Sequence, residues 1–177
     1  MAAWTVIDHE ELGSATAYWE HTGIPTTYDH LLLMVSGRSD DEVTQRYGVL
    51  QVGDGSLDTG TNYSGTVLLA RSVTPISERD TSATFIRASY VVDETDAADA
   101  FANIKIWIPH YANTANFKQM VVTTTGTTES VADNGWSVGI NAGLWRSTDN
   151  IERIRLSLSA GDWMQYSSFT LYGITGA

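Results

Sequence analysis

Cysteine is absent from this chain of 177 residues, and proline occurs only 3 times. Without thiols the protein can form neither a disulfide nor a thiolate-based zinc site, so packing alone has to hold its core. Threonine, serine, glycine and asparagine are plentiful by contrast. Such a composition is typical of many short strands joined by tight turns, and it favours an all-β fold.

Basic residues are also few: Lys and Arg number 10 against 21 Asp and Glu, which gives a formal net charge of -11. A charge of this sign repels the phosphate backbone of nucleic acids. The longest apolar run, Leu31–Val35, is far shorter than the roughly 20 residues that cross a bilayer, and no basic leader followed by an apolar stretch opens the chain. We therefore expect a soluble protein that neither binds nucleic acid nor inserts into a membrane.

Apolar side chains recur at every second position in much of the chain, which is the period of a β-strand. Near the C-terminus Ile154, Leu156 and Leu158 point to one side, while Arg153 and Arg155 point to the other. The pattern predicts about ten strands, each closed by Gly, Asn, Asp or Pro. The predicted segments are Trp4–Asp8, Ala15–His21, Tyr28–Ser36, Arg46–Val52, Thr66–Ser72, Ala83–Val92, Asn103–Ile108, Phe117–Thr125, Trp136–Trp145, Ile151–Ser159 and Met164–Ile174.

The segments between these strands have the composition of loops. Gly53–Gly65 is rich in Gly, Thr and Ser, and the acidic, Ala-rich stretch Asp93–Ala102 is also predicted to be a loop. No sustained helical period, fixed repeat or Pro-rich linker divides the chain. We therefore predict a single domain over residues 1–177, a two-layer antiparallel β-sandwich of the jelly-roll kind.

No motif for catalysis or cofactor binding is found. The four histidines, His9, His21, His30 and His110, lack the close spacing of metal ligands, so hydrogen-bonded structural roles are expected. No Gly-x-Ser-x-Gly motif or phosphate-binding glycine loop occurs. We predict no catalytic residue, no cofactor and no metal site. Oxygen-rich loops leave calcium open as an alternative to solvated carboxylates, at Asp40-Asp41-Glu42, at Asp54 with Asp58, and at Asp93-Glu94 with Asp96 and Asp99.

Aromatic residues, with 6 Trp and 8 Tyr, are more numerous than the core of a small sandwich needs, and this excess is the clearest sign of a function. Exposed aromatic rings often stack on sugars or fill subunit interfaces. Trp107 and Trp145 fall on the faces opposite the aliphatic stripes of their strands, so we expect the stripes to face the core and both Trp side chains to face outward. They are therefore candidate interface or ligand residues. The alternative is that both lie in a second layer of the core or under a loop.

Arg38 and Arg46 complete the interface candidates. Each lies close in sequence to Asp40 and Asp41. An ion pair within one subunit would contribute little if exposed, whereas a desolvated pair across a subunit boundary would contribute more. The sequence leaves both arrangements open.

Several segments resemble a family of tailed-phage virion proteins, the β-sandwich proteins and fibre-tip domains encoded among phage structural genes. The resemblance covers nearly the whole chain and is carried by Gly23–Leu31 running into Ser36–Ser39, Ile108–Ala112, Gly143–Trp145 followed by Ile151, and Tyr166–Ile174. It implies an assembly role, often with trimeric symmetry, on a virion made in the host cytoplasm. It implies no catalytic residues.

Two roles are compatible with this resemblance. The first is a capsid decoration or cement protein, a homotrimer that contacts other virion proteins such as the major capsid protein. The shortness of the chain outside its predicted strands favours this role, since a fibre would need a long stalk. The second is a tail or tail-fibre tip that binds a host receptor or glycan, which the surplus of Trp favours. A carbohydrate-active enzyme on the same scaffold is the weakest alternative.

Overall fold

A computed structural model describes residues 3–42, 46–71, 74–94, 97–126 and 137–176. Over these residues the chain forms twelve β-strands and no helix. The strands are β1 (Ala3–Glu11), β2 (Tyr18–Thr22), β3 (His30–Gly37), β4 (Tyr47–Gly53), β5 (Tyr63–Arg71), β6 (Thr74–Ala83), β7 (Ile86–Tyr90), β8 (Ala102–Pro109), β9 (Lys118–Gly126), β10 (Ser137–Trp145), β11 (Arg153–Leu158) and β12 (Ser168–Thr175).

The strands form two antiparallel sheets that pack face to face. The large sheet has eight strands in the order β1-β12-β3-β8-β9-β10-β5-β6, and the small sheet has four in the order β2-β11-β4-β7. One continuous hydrophobic core fills the space between them. The predicted all-β antiparallel sandwich is confirmed.

The strand order within the two sheets is that of a jelly roll. The strands β1-β12-β3-β8 and β2-β11-β4-β7 form two facing four-stranded sheets, and the chain passes from one to the other in the order of two Greek keys. Two antiparallel pairs, β5–β6 and β9–β10, are inserted into this framework. Both extend the large sheet beyond β8, so the large sheet has four strands more than the small one.

Aromatic rings fill the centre of the jelly roll. Trp19, Trp163 and Phe169 are fully buried, and the Phe169 ring lies 5.4 Å from each indole, stacked on Trp19 and edge-on to Trp163. Trp163 also packs over Gly37, where a Cβ atom would lie 2.5 Å from the indole. Glycine is therefore required at residue 37 for this close approach.

The structure corrects some of the predicted segments. Strand β6 was not predicted, because its central residues, Glu78, Arg79 and Asp80, are charged on both faces of the strand. The predicted strand Ala83–Val92 is divided between the end of β6 and the shorter β7. Much of Gly53–Gly65 is a loop, but β5 already begins at Tyr63. Ser72 and Trp136, at the ends of two predicted strands, lie outside the described residues.

Candidate docking face on the large sheet

Strand β10 presents its aliphatic side chains to the outside of the sandwich. Val138 and Ile140 are exposed, whereas the alternating residues Gly139, Asn141 and Gly143 are buried against the small sheet. The expectation that the aliphatic stripe of this strand faces the core is therefore wrong. An apolar stripe is left on the outer surface instead.

Close packing against β7 explains this orientation. A Cβ atom at Gly143 would lie 2.7 Å from Cγ2 of Ile86 on β7. Beside it, Asn141 donates from Nδ2 to the main-chain oxygen of Arg87 at 2.6 Å. The inner face of β10 therefore admits only small residues or a side chain that bonds to β7, so its large aliphatic residues lie on the other face.

Trp145 is the exception on this inner face, because it lies at the end of the strand, beyond β7. It is only 2% exposed, and its indole Nε1 donates to Oδ2 of Asp58 at 2.7 Å. Asp58 also accepts from Nδ2 of Asn62 and from the main-chain N–H of Gly60. Of the two alternatives for Trp145, the core position is therefore the one observed, and its side chain does not reach the outer surface.

These hydrogen bonds determine the charge state of Asp58. Partial burial of the carboxyl acts to raise its pKa, but the three hydrogen bonds to the ionised form outweigh that effect and lower the pKa below the ordinary value of an aspartate. Asp58 is thus an ionised anchor for Trp145 and its own loop. The calcium alternative is not needed to account for this carboxylate.

Trp107 lies on the outer face of the large sheet, as predicted. It is half-buried between Leu32 of β3 and Val121 of β9, which are its direct neighbours on the adjacent strands. Its ring lies 5.0 Å from His30, whose own ring lies 4.9 Å from His110. Trp107 is therefore part of an aromatic row on the surface.

Both arginine candidates bond within their own chain. Arg38 is almost fully buried and donates from its guanidinium to the main-chain oxygens of Glu94 at 3.1 Å, Ala100 at 3.2 Å and Ala97. Arg46 forms an ion pair with Asp41 at 2.9 Å. The same-subunit arrangement is therefore observed for Arg46, while Arg38 binds the loop before β8.

The histidines do not converge on one point. His21 bonds to Asp8 at 3.1 Å, His9 bonds to Thr170 at 2.8 Å, and Nδ1 of His30 accepts from the main-chain N–H of His110 at 3.2 Å. Among the described residues, no group of three or more His, Asp or Glu side chains is placed to hold a metal ion. Asp96 of the third carboxylate cluster lies outside those residues.

The outer side chains of β5, β9 and β10 form a surface that carries no charge, although the chain as a whole is strongly acidic. At its centre Ile140 lies directly opposite Leu68, and Val138 lies opposite Ala70. We call these four residues the aliphatic patch. The nearest outward charges on the flanking strands are both basic, Lys105 on β8 and Arg79 on β6.

Sequence reasoning missed this patch because alternation does not say which face of a strand is buried. A signal was nevertheless present in β10. Glycine at 139 and 143 alternates with Val138 and Ile140, and a strand face that carries glycines suits a close approach of another backbone. That pattern could have identified the aliphatic face as the outer one.

The comparisons with known proteins find no match to the chain among protein-family models, curated proteins or solved structures. Within the residues that the structure describes, no helix has the length and apolar character needed to cross a membrane.

Proposed function

We propose that this protein is a surface structural protein of a tailed-phage particle. In this proposal it is a capsid decoration or cement protein that self-associates as a trimer and contacts the major capsid protein. The resemblance to phage virion proteins supports the proposal, and so does the jelly-roll strand order, which is common among viral capsid domains. A fold alone does not define a function, so the proposal depends on a surface feature.

The aliphatic patch is the observation that carries the proposal. Leu68 and Val138 are both more than half exposed. Contiguous apolar surface of this kind on a soluble domain is typical of an interaction site. Transfer of each of these side chains from water into an interface would contribute about 1 kcal/mol. The patch therefore favours a protein that docks on a neighbouring subunit.

A matched pair of variants tests the docking. Val138 and Val6 are exposed to the same extent, 55% and 54%, but Val6 lies on β1 at the far edge of the large sheet. We expect V138D to dissociate the oligomer, because the aspartate would be desolvated in the interface, and V6D to leave it assembled. Sedimentation velocity measures the mass, and circular dichroism verifies that each variant is folded.

The location on a particle needs a separate experiment. In a cryo-electron microscopy reconstruction of intact phage particles that contain the chain, density on the head surface would support the decoration role. A monomeric protein that V138D does not change, together with no density on the particle, would overturn the proposal.

The aromatic row favours a second candidate, a tail or tail-fibre tip that binds a host receptor or glycan. The rings of Trp107, His30 and His110 follow one another on the outer face, and at the sheet edge the exposed Trp4 lies 5.8 Å from Tyr172. Density at the tail tip in the same reconstruction would support this candidate over the decoration role.

A further inference from the structure

A groove crosses the outer face of the large sheet beside the aliphatic patch. It consists of two depressions of about 490 and 340 Å³. Both are lined by Gln119 and Leu144, which lie directly opposite each other on β9 and β10. The two depressions therefore adjoin at this pair of residues, and we call the two together the groove.

The larger depression has an aromatic wall and two amide groups. Phe117 is 51% exposed and lines the depression together with Pro109, His110 and Asn116. The ring of Phe117 offers an apolar surface, while the side-chain amides of Asn116 and Gln119 each offer donors and an acceptor. Of the residues that the structure describes, no aspartate, glutamate, lysine or arginine lines this depression.

The smaller depression continues across β10 and β5 toward β6. The hydroxyl groups of Ser64 and Thr66 line it above an apolar floor that includes Val121 and Ala142. Arg79 and Asp80 stand at its far end. From β9 to β6 the groove spans three strand spacings, about 14 Å in all, so its shape suits an elongated ligand.

Buried contacts hold the aromatic end of the groove in place. Lys118 is buried behind Phe117 and donates from Nζ to the main-chain oxygens of Asn116 at 2.9 Å and Thr148 at 3.1 Å. On the opposite wall, the main-chain N–H of His110 is bound to His30. A wall that is fixed before binding loses little conformational entropy when a ligand arrives.

The chemistry of the groove discriminates between classes of ligand. A peptide that binds by adding a strand needs a free sheet edge, but β9, β10 and β5 are each hydrogen-bonded on both sides, so their main chains have no bonds left to offer. An ionic ligand would find no opposite charge in the larger depression. A neutral saccharide can pack the C–H face of a sugar ring on Phe117 and exchange hydroxyl hydrogen bonds with the amides and hydroxyls.

We propose that this groove binds a neutral oligosaccharide, with Phe117 as the stacking platform and with Asn116, Gln119, Ser64 and Thr66 as hydrogen-bonding partners. This inference goes beyond the proposed structural role, because a saccharide site is compatible with a position on the head or on the tail. Its failure would therefore leave the self-association and the particle location untouched.

The test is a screen of the full chain on an array of neutral and acidic oligosaccharides, followed by an NMR titration of the ¹⁵N-labelled protein with the tightest neutral binder. We expect the side-chain amide signals of Asn116 and Gln119 to shift. Phe117→Leu keeps apolar bulk but removes the aromatic face, and it should weaken binding by about tenfold. Gln119→Ala should also weaken it.

Tyr18→Leu is the matched control, since Tyr18 is an aromatic side chain of similar exposure, 46%, at the start of β2 on the small sheet. It should leave the affinity unchanged. The inference is overturned if no neutral oligosaccharide binds, if only acidic saccharides or peptides bind, if the signals that shift lie outside the groove, or if Phe117→Leu binds as tightly as the wild type.

Discussion

The carboxylate of Asp58 holds its own loop and the end of β10 together through three donors. It accepts from the indole of Trp145, from the side chain of Asn62 and from the main chain of Gly60. Charge-assisted hydrogen bonds of this kind are stronger than neutral ones. One residue in a polar loop therefore fixes both the loop and the end of β10.

We predict that Asp58→Asn destabilises the protein by about 1–2 kcal/mol at pH 7, because an amide has a single acceptor oxygen for three donors. The lowered pKa of Asp58 makes this difference depend on pH. The stabilisation is fully present above the ordinary aspartate pKa, about 3.9, and is lost as the pH falls through the lower pKa of the folded state. Thermal unfolding from pH 7 to pH 2.5 should show the wild type and the variant converging below about pH 4.

Asp54→Asn is the control, since it lies in the same loop. Desolvation and the nearby Glu152 raise the pKa of Asp54, so its ionised form does not stabilise the fold, and the variant should not lower the melting temperature at pH 7. A difference between Asp58→Asn and the wild type that stays constant down to pH 2.5 would contradict the assigned role.

Among the strands, the alternation of apolar and polar residues predicts the buried face of some correctly and of others wrongly. Strand β11 has Ile154, Leu156 and Leu158 inside, as its sequence predicts. Leu31, Leu32 and Leu33 of β3 are buried on both faces, which their continuous apolar run indicates. Strand β10 has an equally clear alternation, yet its aliphatic face is outside, because the distance to β7 decides the orientation and the strand's own sequence cannot supply that distance.

The candidate site was less predictable, because the sequence of a strand does not show which of its faces packs on the opposite sheet. Trp107 and Trp145 occupy equivalent positions opposite aliphatic stripes, but opposite orientations of β8 and β10 place the first on the outer surface and the second in the core. The groove was not predicted either. It combines the connection before β9 with residues of β5 and β10, and only the pairing of distant strands brings these together.

Two threonine variants test the orientation of β10. Ile106 on β8 is fully buried, whereas Ile140 on β10 is exposed, and both strands lie inside the large sheet. Ile106→Thr should cost about 2–4 kcal/mol, because it removes buried methyl groups and buries a hydroxyl. Ile140→Thr should change stability by less than about 0.5 kcal/mol. Urea unfolding of dilute protein gives both values, and equal losses would mean that β10 has the opposite orientation.

In the complete fold, the two inserted strand pairs produce the uncovered face. The eight-strand framework closes two four-stranded sheets on each other, and β5, β6, β9 and β10 extend only one of them. Their inner side packs on β7 through Gly143 and Asn141. Their outer side, which carries the aliphatic patch and the groove, has no partner sheet among the described residues. The insertions are thus the part of the fold that offers new surface.

The net charge of the chain opposes any contact between copies at long range. Each copy carries a net charge of -11, so two copies repel each other. The surface through which we propose that they associate is uncharged. Salt screens the repulsion, since the Debye length falls from about 10 Å at 0.1 M to about 3 Å at 1 M. It leaves the apolar contact itself nearly unchanged.

Self-association should therefore become tighter as sodium chloride is raised from 0.05 to about 0.5 M. Sedimentation equilibrium over this range measures the dissociation constant, and V138D, in which the apolar contact is broken, should stay monomeric throughout. An interface held by ion pairs would respond in the opposite direction, because salt weakens attraction between opposite charges. Dissociation on adding salt would thus show that the copies meet through their charged surfaces and not through the aliphatic patch.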